Sequence, residues 1–231
     1  MLDVLFPREC VGCHKLGAYL CSNCKKSLYA HPEMCPFCHR HSPDFQTCFS
    51  CKEKNNSLEG IIIAFSYQNL LKKLILKVKF GHKKDIIAFL AERLALLVQT
   101  HRKLAPLLSQ HQLFLSFVPS HWRRKYLEKG YNQSELLAKE LANQLGLRML
   151  PLAKKRKYTV SQLKLSRAQR VTNLKEAFVP QRLEQLPYGA TVLFVDDVTT
   201  TGSTLLQIAN VIKNIRNDLY IWGAVLARNM N

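Results

Sequence analysis

A chain of 231 residues, 47% of them apolar, has room for one medium domain and a small accessory one, and intrinsic disorder is not its default. Its 34 Lys and Arg against 16 Asp and Glu give a formal charge of +18, which predicts attraction to polyanions: nucleic acid, phosphate-rich small molecules or an anionic membrane face. Asp3 stands where a secretory signal needs a basic residue, and the most apolar helical stretch carries Glu92 and Arg93 and is too short for a bilayer. The expectation is a cytoplasmic chain with no membrane span, in which disulfides would be unusual.

All eight cysteines fall between Cys10 and Cys51, in four CxxC pairs. A two-residue gap brings two thiolates to one ion, and two such turns complete a tetrahedral zinc site. Sequential pairing gives one site from Cys10, Cys13, Cys21 and Cys24 and a second from Cys35, Cys38, Cys48 and Cys51. A cross-braced pairing of the first and third turns is the alternative. Four thiolates leave no open position for chemistry, so the role expected is structural, with one or two Zn²⁺ stabilising a segment too short for its own core. His14, His31, His39 and His41 read as solvated. "KEKNNSLEG" (Lys52 to Gly60) reads as a linker, dividing a zinc-binding domain over 1–56 from a second domain over 57–231. Only 7 basic and 5 acidic residues lie in the first part, so the positive charge belongs to the second.

In that second part, "IIIAFSY" (Ile61 to Tyr67) predicts a strand, followed by a basic amphipathic helix that stops at Gly81. Ile86 to Leu104 reads as a helix, Leu113 to Pro119 as a buried strand, and "NQSELLAKELANQLG" as a helix with Gly146 as its C-cap. "TVLFVDD", "STLLQIANVIKNI" and "LYIWGAVLA" complete the pattern as strand, helix and strand. Strands alternating with helices predict an α/β domain, a parallel sheet with helices on both faces.

The most informative stretch is "VLFVDDVTTTGSTL", Val192 to Leu205. In open α/β sheets ligands bind beyond the carboxyl ends of strands, and Asp196 and Asp197 sit at such an end. The following helix opens with unpaired N–H groups and a partial positive charge. Gly202 lets the backbone approach an anion, and Thr200, Thr201, Ser203 and Thr204 add hydroxyl donors. Carboxylates suit vicinal sugar hydroxyls or a divalent ion, and a phosphorylated ribose meets both demands.

This stretch resembles the phosphoribosyl pyrophosphate (PRPP) motif of type I phosphoribosyltransferases. "VPSHWRRKYLEKGYNQSELLA", "TVSQLKLSRAQRVTNLKEAF", "KVKFG", the terminal "LAR" and the cysteine-rich start are similar to the ComF family of competence proteins. Gln162, Arg170 and Asn173, with "NQSELLA", carry that narrower likeness. The resemblance implies that Asp196 and Asp197 hold the ribose, and that Thr200 to Thr204 hold its 5-phosphate. It places pyrophosphate at Val118, Pro119, Ser120 and His121, where Ser120 and His121 depart from the family's common pattern. Mg²⁺ would arrive with the pyrophosphate. Arg123, Arg124 and the basic run Lys154 to Lys157, similar to the superfamily's mobile lid, are candidates to stabilise departing charge.

Two functions follow. One is PRPP-dependent phosphoribosyl transfer to an acceptor the sequence does not name. The other is a competence role in natural transformation, binding single-stranded DNA through basic patches that carry His121, Trp122, Tyr126, Tyr131 and Tyr158, with helicase and recombination proteins as partners. A metabolic phosphoribosyltransferase or PRPP-dependent regulator with no direct DNA role is the alternative.

Overall fold

The computed structural model describes residues 8–54, 57–81, 84–120, 131–156 and 177–229. In chain order it holds α1 (Ser22–Lys26), a 3₁₀ turn (Pro43–Phe45), α2 (Phe49–Lys52), β1 (Leu58–Ser66), α3 (Asn69–Gly81), α4 (Lys84–Thr100), α5 (Ala105–Ser109), β2 (Leu113–Phe117) and α6 (Gln133–Leu145). The short strands β3 (Ala153–Lys155) and β4 (Phe178–Pro180) follow, then a second 3₁₀ turn (Leu183–Gln185), β5 (Thr191–Thr199), α7 (Ser203–Lys213) and β6 (Tyr220–Arg228). Among the described residues no helix is long and apolar enough to cross a membrane.

The sheet runs β1-β6-β5-β2, all parallel. Val192, Leu193, Phe194 and Val195 are all fully buried, the unbroken apolar run of a strand covered on both faces. From β1 to β2 the chain crosses the sheet one way, and from β5 to β6 it returns. Right-handed connections therefore put α4 and α7 on opposite faces. On α6 the buried residues are Ser134, Leu137, Ala138, Leu141 and Ala142, one stripe at helical spacing. Asn132 accepts from the Ser134 N–H as N-cap, and Gly146 closes the helix at φ +64°. This is the helix that periodicity predicts.

Other elements shift. Both ends of the stretch expected as a linker belong to regular elements: Lys52 closes α2, and Leu58, fully buried, already belongs to β1. Gly60 serves close packing there rather than a turn, since a Cβ would come within 2.4 Å of the Phe45 carbonyl and of Trp222. The helix expected to reach Leu104 stops at Thr100, because His101 Nδ1 accepts the Lys103 and Leu104 N–H groups and turns the chain. The antiparallel hairpin of β3 and β4 has no counterpart in the expected elements; its three-residue strands are too short to show a period.

Candidate functional site

The acidic pair lies at the carboxyl end of β5, which runs two residues beyond it to Thr199. Asp196 Oδ1 accepts from the Asp197 N–H at 2.9 Å and from Ser134 Oγ at 2.8 Å. Asp197 Oδ1 accepts from the Val198 N–H at 2.7 Å. Desolvation and the neighbouring Asp197 charge push the Asp196 carboxyl up to about 7, against the pull of the Ser134 and Asp197 donors. Asp196 therefore changes charge near neutral pH.

The chain then folds tightly into α7. Thr199 Oγ1 accepts the Gly202 N–H at 3.0 Å, and Thr201 Oγ1 accepts the Ser203 N–H at 3.3 Å. Gly202 is the N-cap at φ +76°, a conformation that favours glycine, and a Cβ there would sit 2.8 Å from Ile61 Cδ1, a side-chain tip that would have to shift. Thr200, Thr201 and Ser203 are exposed, and the first N–H groups of α7 have no intrahelical acceptor.

The turn after β2 comes to the same place. The Val118 N–H donates to the Val195 carbonyl, and the Val118 carbonyl accepts from Asn132 Nδ2 at 3.0 Å. Ser120, two residues on, and Gln133, beside Asn132, each bury a side-chain donor (Oγ and Nε2) that finds no partner among the described residues. His121, Arg123 and Arg124 lie outside the described residues, as do Trp122, Tyr126, Lys157, Tyr158, Gln162, Arg170 and Asn173. Lys154 and Lys155, expected in a lid loop, instead belong to β3, with Lys155 Nζ 5.7 Å from the Phe178 ring centroid.

Both cysteine quartets assemble, in sequential rather than cross-braced pairing: Cys10, Cys13, Cys21 and Cys24, then Cys35, Cys38, Cys48 and Cys51. Within each set the Sγ atoms lie within 4.8 Å of one another, with Cys13 to Cys21 and Cys38 to Cys48 at 3.6 Å. Those separations suit a tetrahedral Zn²⁺ with bonds of about 2.3 Å. The thiols divide sharply. The Ser50 hydroxyl and Cys51 N–H bring Cys48 down to about 6, whereas burial and the Cys48 sulfur push Cys51 up to about 12. Four thiolates cannot ionise together without a cation, and Zn²⁺ supplies that charge. Of the histidines expected to be solvated, His31 is instead 7% exposed, its Nδ1 donating to the Pro32 carbonyl and its ring near Phe45.

Sequence comparison agrees with these two assemblies. A family model described as phosphoribosyl transferase domain matches residues 132–229, and one described as double zinc ribbon domain matches residues 1–52. Competence protein F of Haemophilus influenzae is 32% identical over 238 aligned residues, spanning 96% of this chain and 98% of that protein. DNA utilization protein YhgH of Escherichia coli O6:H1 is 33% identical over 88% of each chain, and its Salmonella typhimurium counterpart 31%. The chain belongs to the ComF family.

In this ComF-family chain the zinc ribbons dock on the sheet through a dense joint. Ala30 bridges to Phe65 and Gln46 to Gly60, and His101, edge-on to Trp222 at 4.7 Å, meets the Asp44 carbonyl through Nε2 at 2.9 Å. A cavity of about 540 Å³ opens at this joint, with His31, Tyr67, Asn69, Lys72, Arg228 and Asn229 among its lining residues. Thr199, Ser134 and Asn132 are site residues that sequence reasoning passed over. The "NQS" run was visible as a family feature, but nothing local connects it to an aspartate 62 residues away.

Proposed function

We propose that this chain binds PRPP with Mg²⁺ at the carboxyl end of β5 and works in DNA uptake on the cytoplasmic side, holding single-stranded DNA on its basic surface. The observation that carries the reading is the adjacency of two carboxylates to a glycine-opened helix start, all within Asp196 to Thr204. Asp196 and Asp197 would accept from the ribose hydroxyls, while the N–H groups and hydroxyls of Thr200 to Thr204 would hold the 5-phosphate. Ser120 Oγ and Gln133 Nε2, buried donors with no partner among the described residues, suit pyrophosphate oxygens and support Val118 to Ser120 as the leaving-group side. Mg²⁺, entering with the substrate, would neutralise the departing pyrophosphate charge. The chain's own residues would orient the anomeric carbon and keep the sugar fixed.

The DNA component rests on charge and on the relatives' names. The net charge is +18, and α3 turns Lys72, Lys73 and Lys77 to solvent while burying Leu71, Leu74 and Val78. A competence protein F and DNA utilization proteins among its relatives favour this role over a purely metabolic one.

Calorimetric titration of PRPP and Mg²⁺ into the zinc-loaded chain tests the first component, repeated with Asp196→Asn/Asp197→Asn. Saturable binding lost in the variant is expected; absence of binding in the unmodified chain would overturn it. Anisotropy titration of a labelled single-stranded oligonucleotide tests the second. Tightening as salt falls, in both chains alike, is expected, and loss of DNA binding with the aspartates would defeat the two-surface reading.

A further inference from the structure

We propose that Arg228 is a positioning residue that ties the second zinc site to the phosphate loop. It closes β6 within the terminal "LAR" and is only 3% exposed, an unusual place for a guanidinium. Its Nε donates to the Thr200 carbonyl at 2.8 Å, and its Nη2 donates to His39 Nε2 at 2.7 Å. Arginine has no acceptor, so His39 must accept through Nε2 with its proton on Nδ1. The next residue repeats the grip: the Asn229 N–H donates to the Thr199 carbonyl at 2.8 Å. Two consecutive residues at the end of β6 thus hold the two carbonyls that open the loop carrying Gly202 and Ser203.

The other end of this link lies in the zinc ribbon. His39 directly follows Cys38, and its N–H donates to the Cys35 carbonyl at 3.1 Å. A buried cation needs a counter-charge, and among the described residues no carboxylate forms an ion pair with Arg228. Burial works against its charged form, and the electrostatic pull of Cys35 works for it. Four thiolates around one Zn²⁺ carry a net double negative charge, so the loaded second site is the electrostatic partner of Arg228. Among the described residues, no hydrogen bond joins Cys10, Cys13, Cys21 or Cys24 to the loop. Zinc at Cys35, Cys38, Cys48 and Cys51 therefore orders the backbone on which the 5-phosphate sits.

The binding half of this inference rests on the PRPP reading above; the ordering half does not. Both are read on the full chain: zinc content, hydrogen exchange of residues 199–204, and PRPP–Mg²⁺ affinity by calorimetry. Arg228→Gln should retain both zinc ions, speed exchange across 199–204, and weaken PRPP binding about tenfold, as expected for losing a buried charged donor. Cys48→Ser should speed the same exchange, whereas Cys13→Ser should leave it unchanged. If Arg228→Gln does not fold, His39→Ala, a change at an exposed residue, should speed exchange with zinc retained. Unaltered exchange in the folded variants would overturn the proposal. Altered exchange with no PRPP binding even in the unmodified chain would retain the link and reject the ligand.

Discussion

Ser134, the second residue of α6, donates its hydroxyl to Asp196 Oδ1 at 2.8 Å, so the helix after β2 sets the orientation of a carboxylate on β5. That hydrogen bond favours the ionised carboxylate against the burial that opposes it. Ser134→Ala should therefore move the pH midpoint of PRPP binding upward and weaken binding at neutral pH, and Ser134→Thr should restore it. Calorimetry across a pH series checks this; an unmoved midpoint would reduce Ser134 to a packing residue.

Because the Asp196 carboxyl is pushed up to about 7, it carries a proton over much of the neutral range. Sugar hydroxyls and Mg²⁺ favour its ionised form. Ligand affinity should rise as pH increases through about 7, and Asp196→Asn should remove that part of the dependence.

Stability of the ligand-free chain should run the other way. A raised acid pKa means that the native state binds more protons than the unfolded chain between about pH 4 and pH 7. The contribution is fully present below that window and is lost as pH rises through the folded value. Asp196→Asn should thus unfold at a higher temperature than the unmodified chain above pH 7, and match it near pH 4, by thermal denaturation.

At Gly202, substitution by alanine would place a Cβ 2.8 Å from Ile61 Cδ1 at φ +76°. A cost of roughly 1–3 kcal/mol is expected, with loss of phosphate-dependent binding. Chemical denaturation and calorimetry report the two effects separately.

The sequential cysteine pairing makes the zinc sites independent. Cys10→Ser should lower zinc content by one ion and leave the Cys35 set loaded; the converse holds for Cys35→Ser. Metal analysis with fluorescence-monitored unfolding checks both, and loss of both ions from either variant would contradict separate sites.

Away from the site, Arg216 grips Asp218 with two hydrogen bonds of 2.7 Å and holds the Leu183 carbonyl. The Arg216 guanidinium and the Gly189 N–H keep the Asp218 carboxyl well below the usual range. Its contribution is present above the ordinary carboxylate pKa and fades as pH falls below about 4. Asp218→Asn should flatten the acid limb of the stability curve.

What the sequence determined by itself is what lies close together in it. The CxxC gaps specify thiolate pairs because two residues span one ion, and "VDDVTTTGST" carries acid pair, glycine and helix start within a single connection. The α/β alternation was legible from apolar runs separated by amphipathic stretches. Periodicity could not resolve where β1 begins, because Leu58 and Gly60 follow polar residues and the close packing of Gly60 is against Trp222 and Phe45, remote in sequence. Nor could it reveal the hairpin of β3 and β4, whose pairing spans the chain between 155 and 178.

Tertiary structure alone decided the partners of the site. Ser134 reaches Asp196 across 62 residues, and Arg228 reaches His39 across 189. The first contact exists because parallel strands require long crossovers, which return remote segments to one end of the sheet; the second exists because the zinc ribbon docks against the sheet beside the end of β6. The Asp196 carboxyl shift has the same origin: the residue is written in the sequence, but the desolvation that raises its pKa exists only once the chain has packed around it.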